Sequence, residues 1–111
     1  MNGYYEIKNS KNKKFVFNLR AGNHEVILSS QVYASRASAL EGIASVQKHG
    51  PKKAFYEKKT SDAKQPFFVL KAANSQVIGK SEMYASWSGR TKGIASVMAN
   101  SRSKVIKEVS E

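Results

Sequence analysis

Cysteine is absent from these 111 residues, so neither a disulfide framework nor a thiolate metal site is available. Acid is scarce too: 8 Asp and Glu, with Asp62 the only aspartate, stand against 19 Lys and Arg. No apolar run approaches the roughly 20 residues that cross a bilayer, so no membrane insertion is expected. The opening Met1-Asn2-Gly3-Tyr4-Tyr5-Glu6 lacks a basic stretch followed by an apolar one, which argues against a signal peptide and for a cytoplasmic location. The glycines are scattered, and no Gly-Lys-Ser/Thr follows a strand, which excludes a P-loop. What remains is 41% apolar and 24% charged, the composition of one ordinary globular domain with one core.

Within that domain a segment is written twice. Residues 4–49 set over residues 55–100 at an offset of 51 share 20 identities in 46 positions. Tyr33-Ala34-Ser35 recurs as Tyr84-Ala85-Ser86, and Gly42-Ile43-Ala44-Ser45-Val46 as Gly93-Ile94-Ala95-Ser96-Val97. Each copy is then a supersecondary unit that buries its apolar face against the other. Residues 4–8 read as a first strand. Residues 14–20 alternate strictly, with Phe15, Phe17 and Leu19 on one side and Lys14, Val16, Asn18 and Arg20 on the other, the period of a half-buried strand. A turn follows at Ala21-Gly22-Asn23 and again at Ala72-Ala73-Asn74, where Asn is expected to supply a left-handed conformation, and a third strand follows each turn (residues 25–29 and 76–80).

A helix comes next in each copy, capped by Ser35 or Ser86. Its buried stripe is Leu40, Ile43, Val46 and Gln47 in the first copy, and Trp87, Thr91, Ile94, Val97 and Met98 in the second. His49-Gly50-Pro51 ends the first helix and Asn100 the second. Gly42 and Gly93 sit mid-helix, where Gly costs about 1 kcal/mol relative to Ala, so their recurrence points to close packing. Ile106-Lys107-Glu108 repeats Tyr4-Tyr5-Glu6 and Phe55-Tyr56-Glu57, which makes residues 105–109 a closing strand. The expected fold is α+β: two tandem β(3)-α-β repeats forming one antiparallel sheet, with two helices packed on one face and pseudo-two-fold symmetry. Repeat one runs over about residues 3–53, repeat two over about 54–104 and the closing strand over about 105–109, all in a single domain.

The charge balance is +11, carried by 15 Lys and 4 Arg against 7 Glu and 1 Asp. A field of that sign attracts nucleic acid, anionic surfaces and acidic proteins. Lys acts as a point charge where Arg reads with a planar fork, so contacts with nucleic acid are expected to be backbone-directed. Enzymatic signals are sparse. His24 and His49 lack metal-ligand spacing and read as solvated, fifteen serines contain no G-x-S-x-G, and the symmetric Glu6 and Glu57 lie beside lysines. The sheet face away from the helices is the candidate surface: Lys14, Val16, Asn18 and Arg20 with Gln65, Phe67, Val69 and Lys71, joined by Tyr4, Glu6, Lys8, Phe55, Glu57 and Lys59.

Gly3-Tyr4-Tyr5-Glu6-Ile7-Lys8, Phe17-Asn18-Leu19-Arg20-Ala21-Gly22-Asn23, Glu25-Val26-Ile27-Leu28 and Gly42-Ile43-Ala44-Ser45-Val46 resemble the first repeat of the YegP-type family. Leu70-Lys71-Ala72-Ala73-Asn74 and Ser81-Glu82-Met83-Tyr84 resemble its second. The resemblance covers nearly the whole chain. It implies a β(3)-α-β motif, one sheet formed from both copies, and a last strand of each copy that crosses over. Single-repeat members are expected to pair, so a tandem chain is expected to be a monomer with a pseudo-dimeric interior. The family's biochemical function is unassigned, so no catalytic residue carries over. Trp87-Ser88-Gly89-Arg90 and Lys52-Lys53 do not match its pattern.

The leading expectation is a non-catalytic, cofactor-free basic module that binds nucleic acid, acidic protein or another polyanion through Lys14, Arg20, Lys52, Lys53, Lys59, Phe67 and Lys71. The alternative is a protein–protein or assembly module that uses sheet edges or the exposed sheet face. A small-molecule enzyme comes third, since it requires a deep pocket lined by titratable groups.

Overall fold

In β1 (Tyr4–Asn9) and β2 (Phe15–Arg20) the alternation read from the sequence is realised: Tyr5, Ile7, Phe17 and Leu19 are buried, while Glu6, Lys8, Asn18 and Arg20 turn to the other face. The computed structural model describes residues 3–9 and 12–110; Met1 and Asn2 of the opening segment lie outside them. The first copy continues through β3 (Val26–Ser29) and α1 (Arg36–His49), and a single 3-10 turn at Lys53–Phe55 leads into the second. There β4 (Tyr56–Thr60), β5 (Pro66–Lys71), β6 (Val77–Lys80) and α2 (Trp87–Asn100) repeat the order, and β7 (Ile106–Ser110) follows. Phe55 thus lies in the turn, its ring edge-on to His49, and not on the first strand of its copy.

All seven strands form one sheet in the order β4-β5-β6-β3-β2-β1-β7. The two copies meet at β3 and β6, antiparallel with Ser29 opposite Lys80. The sheet is not wholly antiparallel, because β7, which follows α2, runs parallel to β1, with Tyr5 opposite Ile106 and Glu6 opposite Lys107. That register also reverses the closing strand's faces relative to the motif it repeats. Glu6 and Glu57 lie on the open face, but Glu108 lies on the helix side and pairs with Arg36.

Local chemistry recurs copy by copy. In the β2–β3 turn Asn23 is not the left-handed residue. Its Oδ1 accepts the Glu25 N–H at 3.1 Å, and His24 takes the positive φ of 72°; Asn74, Gln76 and Ser75 (φ 71°) repeat this. A register shift at Leu19/Arg20, matched at Leu70/Lys71, lets successive residues Ile27 and Leu28 both bury. Ser35 and Ser86 accept the N–H groups of Ser38 and Gly89 at 3.1 and 3.0 Å.

The helices cover one face of the sheet. Ile43 and Val46 of α1 and Ile94 and Val97 of α2 join Tyr5, Phe17, Leu19, Leu28, Phe68 and Leu70 in one core. Each fully buried aliphatic or aromatic side chain contributes about 1.5–3 kcal/mol, so this layer is what holds the molecule together. A side chain at Gly42 would collide with the Tyr33 ring, and one at Gly93 with the Tyr84 ring, so both glycines permit the helix to rest on an aromatic that itself stacks on Phe17 or Phe68. Trp87 departs from the expected stripe. It is 58% exposed, with the Arg90 guanidinium 4.5 Å over its ring. Thr91 is exposed as well, so the buried stripe of α2 narrows to Ile94 and Val97 with Met98 beside them. Gly50 closes α1 in right-handed conformation, and its lack of a side chain serves close approach to Ser101 at the end of α2.

Candidate polyanion-binding face

The strand alternation that buries Phe17 and Phe68 sends six cations to the opposite face: Lys8, Arg20 and Lys107 in one half, Lys59, Lys71 and Lys80 in the other. Two glutamates lie among them. Glu6 accepts from Arg20 Nε at 3.2 Å and has Lys8 Nζ at 3.8 Å. Glu57, at the equivalent position, pairs with Lys71 and, at 3.3 Å, with Lys59. Hydrogen bonds from Lys71 and then Lys59 hold the Glu57 carboxyl below its ordinary value. Each glutamate is enclosed by its own two cations in its own copy, so Glu6 and Glu57 do not form a shared acid–base pair.

The Glu57 pairs are solvent-screened and the Glu6 pairs only partly buried, so they add little to stability beside the core. Their effect is on the field of the face, where two carboxylates leave the excess of four positive charges spread over both copies. Two aromatics are roofed by lysines: Lys107 Nζ lies 4.3 Å from the Tyr4 ring centroid, and Lys80 Nζ lies 5.1 Å from that of Phe67. Tyr4 Oη also meets His24 Nδ1 at 2.9 Å.

Of the residues singled out from sequence, Arg20, Lys59, Phe67 and Lys71 share this face. Lys14 precedes β2 and is exposed. Lys52 and Lys53 lie in the connector, and Lys53 borders a hollow of ≈ 320 Å³ with Tyr56, Glu57, Lys58 and Ile94. Lys80 and Lys107 were not singled out. The alternation of β6 opposite Val69 carries the first, but the second depends on a parallel pairing that no local pattern announces.

His49, expected in solvent, is buried. Its Nδ1–H donates to the Ser45 carbonyl at 2.8 Å, and its Nε2 accepts the Ala73 N–H at 3.2 Å, which ties the end of α1 to the second copy's turn. No cluster of three or more His, Cys, Asp or Glu side chains suited to a metal occurs among the described residues. No helix there is long and apolar enough to cross a membrane.

Comparison with known proteins places these features. The model of a domain of unknown function, DUF1508, matches the chain twice, over residues 10–57 and 61–108. The UPF0339 protein YegP of Yersinia pestis is 55% identical over 107 residues, 96% of each chain. YegP of Escherichia coli K12 is 48% identical over 108 residues, covering 97% of this chain and 98% of that one. Among solved structures, the solution structure of a UPF0339 protein from Shewanella oneidensis superposes with a TM-score of 0.92 at 46% identity, covering 99% of this chain and 93% of that one. That of E. coli YegP, described as a protein of unknown function, gives 0.92 at 47%, covering 99% and 95%. The duplicated β(3)-α unit, its closing strand and these matches together make the chain a member of the UPF0339 family, the YegP-type proteins of tandem DUF1508 repeats.

Proposed function

We propose that this chain is a non-catalytic binding module whose open sheet face holds nucleic acid, or another polyanion, by its charged backbone. The carrying observation is the six-to-two excess of cations over carboxylates on a face that runs unbroken across both copies. Lysine supplies five of the six cations, which suits phosphate contact without base reading. In this reading the chain acts as a monomer in the cytoplasm, and Tyr4 and Phe67 offer ring faces once their lysines move onto phosphate.

Fluorescence anisotropy with a labelled 20-nucleotide single strand, its duplex and inorganic polyphosphate, each at 20–200 mM salt, tests the reading. For the duplex, about four neutralised phosphates give a log–log salt slope of about −4, with little dependence on base sequence. Charge reversal at Arg20 and Lys71 together is expected to flatten that slope. Absence of binding at 20 mM salt, or a slope untouched by those substitutions, overturns it.

A further inference from the structure

We propose that the bare outer edge of β4 docks an extended acidic segment of a partner protein as a parallel strand, in the way that β7 docks on β1. The two copies are alike strand for strand except at the rims. β1 carries β7 on its outer side, with the Tyr5 N–H donating to the Val105 carbonyl at 2.9 Å, whereas β4 ends the sheet with no outer neighbour among the described residues. At the start of β4 the equivalent amide, that of Tyr56, is taken by the Lys53 carbonyl of the 3-10 turn. Since amides in a strand alternate sides, those of Lys58 and Thr60 face outward with nothing beside them in the sheet. Their equivalents in β1, Ile7 and Asn9, lie opposite Glu108 and Ser110.

The surroundings of this edge specify the strand that fits. On the closed rim, Ile106 lies opposite Tyr5, and Arg36 of α1 pairs with Glu108. On the open rim, the ≈ 320 Å³ hollow between Tyr56 and Ile94 has room for a branched apolar side chain at the matching place. Next to it α2 offers a different arginine. Arg90 Nη1 donates to the Lys59 carbonyl at 2.9 Å, and its Nε is buried with no partner among the described residues. Lys53 and Lys58 border the same hollow, and its one carboxylate, Glu57, is already engaged by Lys59 and Lys71. An incoming strand with an apolar residue followed two places on by an acid therefore meets a pocket and, beside it, an arginine whose hydrogen-bonding capacity is not filled within the chain.

A second copy of this chain does not suit the edge. Two-fold pairing of β4 with itself about Lys58 sets Lys58 against Lys58 and offers only a Glu57 already engaged by its own Lys59 and Lys71 to the facing Lys59, between chains that each carry +11. The complementary partner is acidic.

The probe is a synthetic peptide with the sequence of residues 105–110 carrying Lys107→Glu, acetylated and amidated, alongside the same peptide N-methylated at alternate amides so that it cannot pair as a strand. Trp87 is the only tryptophan and stacks on Arg90, so its emission reports on the edge directly. The plain peptide is expected to shift Trp87 emission saturably and to slow hydrogen exchange at the Lys58 and Thr60 amides at least tenfold, while the methylated peptide does neither. Arg90→Gln is expected to weaken binding about tenfold. Lys58→Glu, an exposed change that leaves the core alone, is expected to do the same. Equal binding of the methylated peptide overturns the proposal, as does protection confined to β1 or to the open face, or no response at millimolar peptide. Because Lys58 and Arg90 lie off the open face, DNA binding measured on the same variants fails or survives independently.

Discussion

Tyr5 and Tyr56 hold the same place in the two copies, and each sends its hydroxyl to the end of the other copy's helix or of the helix just before it. Tyr5 Oη donates to the Ser101 carbonyl at 2.5 Å and Tyr56 Oη to the Gly50 carbonyl at 2.6 Å. Burial raises both phenols well above their ordinary value of 10.0, and for Tyr5 the neighbouring Tyr56 adds to it. Above pH 10.0 the unfolded chain releases phenolic protons that the folded chain keeps, so stability is full below that pH and falls as pH rises beyond it. Each such group contributes at most about 1.4 kcal/mol of loss per pH unit, less where it is partly exposed, and the raised phenols of Tyr33 and Tyr84 add to the same fall. Denaturant unfolding at pH 9, 10 and 11 should show it, and Tyr5→Phe should lower the alkaline slope by about 1 kcal/mol per pH unit while costing about 1 kcal/mol at pH 7. A Tyr5→Phe protein with an unchanged alkaline slope would contradict this account. At this scale Ser35 and Ser86 were legible as caps because their partners lie three residues away. His49 was not, because the amide that fixes it belongs to Ala73, 24 residues on.

Each helix meets its sheet through a glycine. A Cβ at Gly93 would overlap the Tyr84 ring, whereas one at Gly89 on the same helix meets nothing closer than 3.4 Å. Gly93→Ala is therefore expected to destabilise by up to about 2 kcal/mol net, since overpacking of about 1–3 kcal/mol is set against a helix-propensity gain of about 1 kcal/mol. Gly89→Ala lacks the overpacking and should be neutral or slightly stabilising; thermal melts of the pair decide it, and an equal response at both sites would mean that the close approach is not the reason for Gly93. The elements themselves were open to reading because alternation in β2 and apolar spacing in α1 are short-range patterns. The direction of β7 was not, because a five-residue strand carries no mark of whether its neighbour runs parallel to it. Trp87 leaves the stripe for a related reason: helical spacing locates a residue around the axis, but Trp87 and Ser88 in the first turn of α2 both face solvent.

Across the whole molecule the copies interlock. α1 lies over β2 of its own copy and over β5 and β6 of the other, α2 does the reverse, and Gln47 Nε2 donates across to the Ser103 carbonyl at 2.8 Å. The Gly3 N–H donates to Asn100 Oδ1 at 2.9 Å, which brings the opening of the chain to the end of the second helix. Cleavage within residues 50–53 should accordingly leave two fragments that stay together through gel filtration, give one folded NMR spectrum when mixed and lose it when separated under denaturant. Two stable, folded, monomeric halves would refute the interlock. Seven strands is an odd number, while the axis relating the copies passes between β3 and β6 with no strand upon it, so one strand must go unmatched. The molecule is thereby given a head and a tail. A tag or domain fused beyond β7 emerges at the rim farthest from β4, and chains attached through it to a surface would all present the same rim outward.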